Sequence, residues 1–297
     1  MGGVVGPAVY SVEEGGRALL ERIRIGIPFI AGKLGTSELE ALLYYKSHGN
    51  GVFPLHIQKN MKINAGLFGS ELCIKEWCIY MLEHLGMMDE IVLWSPGLPV
   101  QERYFFKEHC PAVQCFLPLR ALEPFYQKEA DNRWSLAVSS FCVVTPFKKS
   151  IEEQWSRRDV LFPYPLFMED VRFKGCVRVG YSPILCVGSE PCSWPQKILE
   201  GGWFTAVLSV VEECVAKGVD FVFVGAGALS LPICFELKKR GISAIHTGGG
   251  TQIIFGVKGR RWLSHNVISG FFNDAWSSPL PSEVPSGFQR IEEGCYF

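Results

Sequence analysis

The sequence has no excess of charge of either sign and no long apolar run. It contains 29 Lys and Arg residues against 30 Asp and Glu, which gives its 297 residues a formal net charge of −1. A chain this close to neutral has no global attraction to nucleic acid or to an anionic membrane, so a local cluster of cations must bind any anionic ligand. No segment reaches the roughly 18 uninterrupted apolar residues of a membrane span. We therefore expect no transmembrane segment and no nucleic-acid partner.

The N-terminal segment lacks a targeting signal, and the cysteines lack the pattern of a disulfide framework. Residues 1–10 contain no basic residue and no sustained apolar core, unlike a secretory signal peptide. The eleven cysteines are odd in number and scattered through apolar runs. Neither of the pairs separated by four residues, Cys73/Cys78 and Cys110/Cys115, has a second pair nearby to complete a zinc site. We expect buried, reduced thiols and a cytoplasmic location.

Several catalytic signatures are absent as well. The sequence has no Gly-x-Ser-x-Gly elbow, no P-loop, no His-Glu-x-x-His motif and no kinase signature. Their absence disfavours hydrolase, ATPase, protease and kinase chemistry. With 48% apolar and 20% charged residues, the chain nevertheless has the composition of a globular protein rather than a disordered one.

Short apolar segments alternate with longer helical patterns along the chain. This alternation predicts a Rossmann-like α/β fold with a mainly parallel sheet flanked by helices. We predict a single domain over residues 1–297; a boundary near Asp131 would divide it into halves 1–131 and 132–297, and one continuous sheet across that point is the alternative. The predicted strands are Pro28–Leu34, Glu90–Trp94, Phe141–Thr145, Cys176–Tyr181, Phe221–Val224 and Ile242–His246. The predicted helices are Leu39–Lys46, Ser70–Leu85, Trp203–Lys217 and Leu231–Arg240, with others starting near Gln101 and Ser150.

A glycine turn separates a predicted strand from a predicted helix at Val224–Ser230. Glycines let a backbone approach a phosphate, and a helix N-terminus supplies free amides. The spacing is Gly-x-Gly without a third glycine, and no acid follows the next strand, which disfavours a nicotinamide cofactor. Contacts from Gly225, Gly227 and Ser230 to a phosphate or ribose are one reading, and a tight turn with no ligand is the other.

A second glycine-rich segment, His246–Gln252, leaves the carboxyl end of the next strand. Ligands of open parallel sheets gather at these ends, and consecutive glycines mark unusual dihedral angles or a close backbone approach. His246 is a candidate general base or hydrogen-bond donor, with a purely structural histidine as the alternative. The remaining ligand-binding candidates here are Thr247, Gly248, Gly249 and Gln252.

Cations and polar residues follow other predicted elements. Lys258, Arg260 and Arg261 precede Trp262, a combination that suits a diphosphate and a stacked ring. These residues also have explanations that need no ligand. The cations can form a solvated basic turn, the polar residues can cap helices, and Arg120 and Glu123 can form a local ion pair. The further candidates are Lys148 and Lys149 after one strand, Gly35, Thr36, Ser37 and Glu38 after another, and Asn64 in a glycine loop.

The C-terminal unit resembles GT-D type glycosyltransferases. Gly225–Ala228 and Phe235–Gly248 look like the glycine turn, the helix ending "LKKKG" and the strand ending "DIG" of those enzymes, and Gly35–Glu38 resembles their "GDGE" element. Other segments are similar to uncharacterised proteins of capsular and exopolysaccharide gene clusters. These segments are Leu119–Tyr126, Val143–Gln154, Gly248–Trp262 and Ile291–Phe297.

The resemblance implies a transferase that moves a sugar from a nucleoside-diphosphate sugar, expected to be a UDP-sugar, to a glycan acceptor of a surface polysaccharide or glycoprotein. Glu38 would contact the donor sugar or act as a base, and Glu38 is the residue that would hold a Mn²⁺ or Mg²⁺ ion. Thr36 stands where the "GDGE" element has its aspartate, and His246 stands where the strand ending "DIG" has its aspartate. The phosphate charge would therefore be balanced by cationic side chains rather than by a metal ion. The alternatives are another nucleotide-cofactor transferase, such as a methyltransferase using S-adenosylmethionine, and a non-catalytic glycan- or nucleotide-binding protein.

Overall fold

In the part of the chain that the structure describes, eight short strands form one sheet in which every neighbouring pair is parallel. The structure is a computed structural model that describes residues 8–49, 51–95 and 97–297. The sheet order is β1-β4-β3-β2-β8-β7-β5-β6. The strands are β1 (Ala8–Val9), β2 (Ile30–Gly32), β3 (Glu90–Leu93), β4 (Cys115–Pro118), β5 (Ser140–Thr145), β6 (Arg172–Arg178), β7 (Phe221–Val224) and β8 (Ser243–His246).

Helices connect the strands and cover both faces of the sheet, which confirms the predicted Rossmann-like α/β class. A π-helical turn, Asn60–Asn64, directly follows the α-helix Leu55–Lys59. The α-helices are α1 (Val12–Ile25), α2 (Thr36–His48), α3 (Leu55–Lys59), α4 (Cys73–His84), α5 (Pro99–His109), α6 (Lys148–Gln154), α7 (Gln196–Ala216), α8 (Ser230–Lys239) and α9 (Gly250–Ile254).

The sheet is buried on both faces, which explains why its strands are continuous apolar runs. Successive side chains of a strand point to opposite faces. In β7, Val222 and Val224 contribute to the core on the side of α2, α4, α5, α7 and α8. Phe221 and Phe223 contribute to the core on the side of α1, α6 and α9. All four residues are buried.

The structure corrects several predicted element boundaries. The helix predicted from Ser70 begins at Cys73, and no side chain caps it. The prediction also omitted β1, α1 and β4, although α1 carries a capping box between Ser11 and Glu14. Strands from both sides of Asp131 belong to the same sheet. Residues 1–7, in which no targeting signal is recognised, lie outside the described residues.

Among the described residues, no helix is both long enough and apolar enough to cross a membrane.

Candidate functional site

A cavity of about 510 Å³ opens at the carboxyl ends of β2, β5, β7 and β8. Because all strands are parallel, these ends lie at one edge of the sheet, where open α/β sheets bind their ligands. The volume lies within the range of small-molecule sites. The predicted site residues that line the cavity are Gly35, Thr36, Ser37, Glu38, Asn64, Gly225, Gly227, His246, Thr247, Gly248, Gly249, Gln252 and Arg261.

The turn after β7 requires glycine at two positions. A Cβ atom at Gly225 would lie 2.6 Å from the Thr251 hydroxyl oxygen, which is too close for any real contact. Gly227 has φ +53°, and a Cβ atom there would overlap the carbonyl oxygen of Ala65. The Ala228 N–H donates to the same carbonyl at 2.8 Å. The turn therefore packs directly against the chain before α4, and its backbone forms part of the cavity wall.

The glycine run after β8 brings its backbone against two other walls of the cavity. Gly248 has φ +56°, a left-handed conformation that favours glycine. A Cβ atom at Gly249 would lie 2.9 Å from the Tyr296 ring, and one at Gly250 would lie 3.0 Å from Glu123 Oε1. The Thr247 and Thr251 hydroxyls are 2.6 Å apart and close the turn with a hydrogen bond.

Glu38 lies in the first turn of α2, and its carboxylate packs directly against Gly35, in the space a Cβ atom there would take. The carboxylate is buried, and burial raises its pKa, although the positive charge of Lys33 opposes this rise. Gly35 precedes the helix without a side-chain cap, whereas the Glu38 N–H donates to the Glu38 carboxylate, so the amides of Thr36 and Ser37 are the ones left to meet a ligand. Thr36 and Ser37, the first two residues of this turn, also line the cavity.

Lys33 is a cavity residue that the sequence did not predict. It follows β2 directly, is half-buried, and has its ammonium 5.7 Å from the centre of the Trp94 ring. Burial lowers the Lys33 pKa, whereas the charges of Glu38 and Glu102 raise it. A lysine at a strand end followed by a glycine turn is the signal that could have identified this position.

His246 ends β8, and its ring is buried. Its Nδ1 lies 3.2 Å from the carbonyl oxygen of Val224. Since a carbonyl oxygen only accepts, Nδ1 carries the hydrogen and Nε2 is left as an acceptor. Burial and, secondarily, the charge of Lys33 lower the His246 pKa to about 3. The ring is therefore neutral near pH 7, which makes it a hydrogen-bonding group and a weak base.

Glu123 is a second cavity carboxylate, and the sequence suggested only that it pairs with Arg120. The Arg120 guanidinium instead stacks on Tyr126, 4.9 Å from the ring centre. Glu123 has 8% of its surface exposed and lines the cavity with its carboxylate against Gly250 of the glycine run. Burial raises the Glu123 pKa to about 7, against the opposing charges of Arg120 and Lys33. This carboxyl group therefore changes protonation state near neutral pH.

The C-terminal segment Ile291–Phe297 forms another wall of the cavity. The Gln252 side-chain amide donates to the Tyr296 carbonyl at 3.1 Å, and the Arg261 N–H donates to the Cys295 carbonyl at 2.8 Å. The Arg261 guanidinium lies 4.8 Å from the Tyr296 ring centre and pairs with Glu292. Of the three cations predicted around Trp262, Arg261 alone lines this cavity.

Five predicted ligand-binding residues lie outside the cavity. Ser230 is buried, and its hydroxyl accepts a hydrogen bond from the Ala226 N–H at 2.9 Å, so it braces the glycine turn. Lys148 and Lys149 line a separate cavity of about 470 Å³, where Lys148 is 3.9 Å from Glu213. Lys258 lies 5.9 Å from the Phe272 ring centre, and Arg260 is exposed. The structure thus does not bring these side chains to the cavity.

The donor set around Glu38 does not fit the divalent metal ion that the family resemblance implies. Thr36 supplies a hydroxyl where the motif has a carboxylate, and the nearest charged partner of Glu38 is the cation Lys33. No group of three metal-ligating side chains converges at the cavity in the described part of the chain.

Comparison of the chain with protein-family models, with curated proteins and with solved structures finds no match. What the fold and the cavity define is a Rossmann-like α/β protein with a cavity at the carboxyl edge of its sheet.

Proposed function

We propose that the protein is a glycosyltransferase that takes a nucleoside-diphosphate sugar, in particular a UDP-sugar, as donor and a glycan as acceptor. The observation that carries this proposal is the composition of the cavity. Glycine turns, cations, aromatic rings and two buried carboxylates face one space at the carboxyl edge of the parallel sheet. These are the groups needed to bind a diphosphate, a base and a sugar and to accept a proton. The sequence resemblance to GT-D type enzymes supports the same reading.

The diphosphate is proposed to lie between the first turn of α2 and the two glycine turns. Lys33, Arg120 and Arg261 are the cavity cations available to balance its charge. As the glycosidic bond breaks, negative charge grows on the leaving diphosphate. Prearranged cations and amides then stabilise the transition state more strongly than the ground state.

The aromatic side chains of the cavity are proposed to bind the nucleoside base. Trp94 has 40% of its surface exposed and Tyr126 is half-buried, so each presents ring surface to the cavity. Stacking of the base on an aromatic ring needs no charged group, so the residues that bind the base differ from the cations that bind the phosphates.

The two buried carboxylates are proposed to have different roles. Burial raises the pKa of Glu38 and the charge of Lys33 opposes that rise; this buried carboxylate is proposed to form a hydrogen bond with a donor-sugar hydroxyl. Burial raises the pKa of Glu123 to about 7, and its carboxylate lies beside Gly250. A general base works best when its pKa lies near the working pH, so Glu123 is the better candidate to take the proton of the acceptor hydroxyl. His246 is assigned to hydrogen bonding.

A thermal-shift panel tests the ligand class. A ligand present at 100 times its Kd stabilises the fold by about 2.7 kcal/mol. For a chain of this size, that corresponds to a shift in Tm of roughly 5 °C. We expect UDP-sugars to produce this shift equally in the presence of manganese and in the presence of a chelator. We expect no shift with S-adenosylmethionine. A shift with S-adenosylmethionine alone would instead support a methyltransferase. Donor binding with neither transfer nor slow donor hydrolysis would support a binding protein.

A further inference from the structure

Two thiols and a carboxylate converge on the loop between β6 and α7, away from the residues assigned to the donor. The Sγ atoms of Cys186 and Cys192 and a carboxylate oxygen of Glu190 all lie within 4.8 Å of one another. Cys192 Sγ is 3.5 Å from Glu190 Oε2. Cys192 is buried, whereas Cys186 and Glu190 are half-buried and reachable from solvent. The spacing Cys-x3-Glu-x-Cys is distinct from the two cysteine pairs that the sequence singled out.

The Cys192–Glu190 separation matches that of two ligands sharing one metal ion, and the third ligand atom lies within 4.8 Å of both. Zinc binds thiolate sulfur at about 2.3 Å and carboxylate oxygen at about 2.0–2.2 Å, so neighbouring ligands of a tetrahedral site lie roughly 3.5–3.8 Å apart. The Cys192–Glu190 pair already has this separation. Two soft thiolates with one carboxylate favour zinc over the hard cations magnesium and calcium.

Glu190 is held in position before any metal binds. The Val187 N–H donates to its Oε1 at 2.5 Å, and the Ser286 N–H donates to its Oε2 at 3.0 Å. Hydrogen bonds from Ser286 and Val187 lower the Glu190 pKa to about 2. These partners fix the orientation of the carboxylate. The Cys192 thiol also donates to Oε2, and loss of that proton on metal binding frees a lone pair for the ion.

We propose that Cys186, Glu190 and Cys192 bind one zinc ion, with a water molecule at the fourth position. Binding forms two S–Zn bonds, breaks two S–H bonds and releases both protons to solvent, without any change of oxidation state.

The ion would stabilise one wall of the cavity. Ser182 and Leu185, on the same loop, line the cavity. The Leu185 carbonyl accepts a hydrogen bond from the Gly287 N–H at 2.8 Å, and the Arg290 guanidinium donates to the Ile184 carbonyl at 2.7 Å. The proposed site thus fixes the loop against the segment that leads into the C-terminal wall. It does not depend on which ligand the cavity takes.

Cobalt substitution tests the site in the full chain. Protein freed of metal by a chelator and kept reduced is titrated with Co²⁺, followed by Zn²⁺. We expect thiolate-to-cobalt charge-transfer absorption that saturates at one equivalent and disappears when Zn²⁺ is added. In C186S and C192S the absorption should be lost or the affinity reduced roughly 100-fold, and E190Q should reduce it about tenfold. C115S, which alters a half-buried thiol of β4, is the matched control and should titrate like the wild type.

Alkylation of the wild-type protein provides a readout that needs no variant. With zinc bound, mass spectrometry should find Cys186 and Cys192 protected from a thiol reagent, and a chelator should restore their reaction. No charge-transfer absorption at one equivalent, or equal alkylation of both thiols with and without zinc, would overturn the proposal. Neither result bears on the glycosyltransferase proposal, because both readouts use the metal alone.

Discussion

Replacing Glu123 with Gln should reduce activity and increase stability at the same time. Burial raises the pKa of this carboxyl group from 4.5 to about 7, so the folded protein favours its protonated form. For this group, the free energy of unfolding is therefore highest below pH 4.5, decreases between pH 4.5 and pH 7, and levels off above pH 7. The decrease amounts to about 3 kcal/mol at pH 8, since one pH unit between the two pKa values is worth about 1.4 kcal/mol. A neutral amide of the same shape avoids this cost.

The catalytic consequence has the opposite sign. Glutamine cannot accept a proton, and loss of a general base lowers kcat by roughly 10²–10⁴-fold. In the wild type, kcat/KM should rise with pH through an apparent pKa of about 7, because only the ionised carboxylate acts as a base. Glu123→Gln should lose this pH dependence.

The assay combines urea unfolding at pH 5 and pH 8 with the pH profile of sugar transfer. Glu129→Gln is the matched control, because it removes an exposed acid from the same stretch of chain. It should change neither quantity. Full activity of Glu123→Gln, or a variant less stable than the wild type at pH 8, would refute the assigned role. A residue with a merely structural role would lower stability and activity together.

Three further predictions concern the glycine turn and the ligand contacts. Gly227→Ala should lower the free energy of unfolding by roughly 1–3 kcal/mol more than Gly26→Ala, since both positions have positive φ but only Gly227 lacks space for a Cβ atom. Equal losses in urea titrations would contradict the steric part of this reasoning. Arg261→Gln should weaken donor binding roughly 10- to 100-fold in calorimetry, whereas Lys258→Gln should leave it unchanged because that side chain lies outside the cavity. Glu38→Gln should raise the donor KM about tenfold with little change in kcat, and a variant with wild-type kinetics would exclude any role for Glu38.

Much of the sheet could be predicted because its inner strands are buried on both faces. Phe221–Val224 was predicted with its observed bounds, since four consecutive apolar residues between polar turns leave little ambiguity. β1 was missed because two exposed residues carry no apolar pattern. The late start of α4 has a different reason: Ser70 and Glu71 resemble a cap, but the chain there makes a turn before Cys73.

The site was predictable where it depends on the local backbone and not where it depends on distant side chains. Gly225, Gly227 and Gly248 were identified because unusual dihedral angles and close approaches leave a trace in the sequence. Glu123 was read as half of an ion pair because its burial depends on packing against a glycine run more than a hundred residues away.

The cation cluster shows a second limit of sequence reasoning. Lys258, Arg260 and Arg261 are adjacent in sequence, but the turn that holds them directs only Arg261 toward the cavity. Spacing in the chain establishes how many cations are nearby. The backbone conformation decides which of them meets a ligand.

The most direct test of the proposed function is the consumption of nucleotide sugars by the wild-type protein, measured by mass spectrometry both with and without a chelator. We expect a UDP-sugar to yield uridine diphosphate together with transferred or hydrolysed sugar. Glu123→Gln should slow that release by roughly 100-fold or more. If no nucleotide sugar is consumed and none stabilises the fold, the cavity is not a donor site and the proposal is wrong.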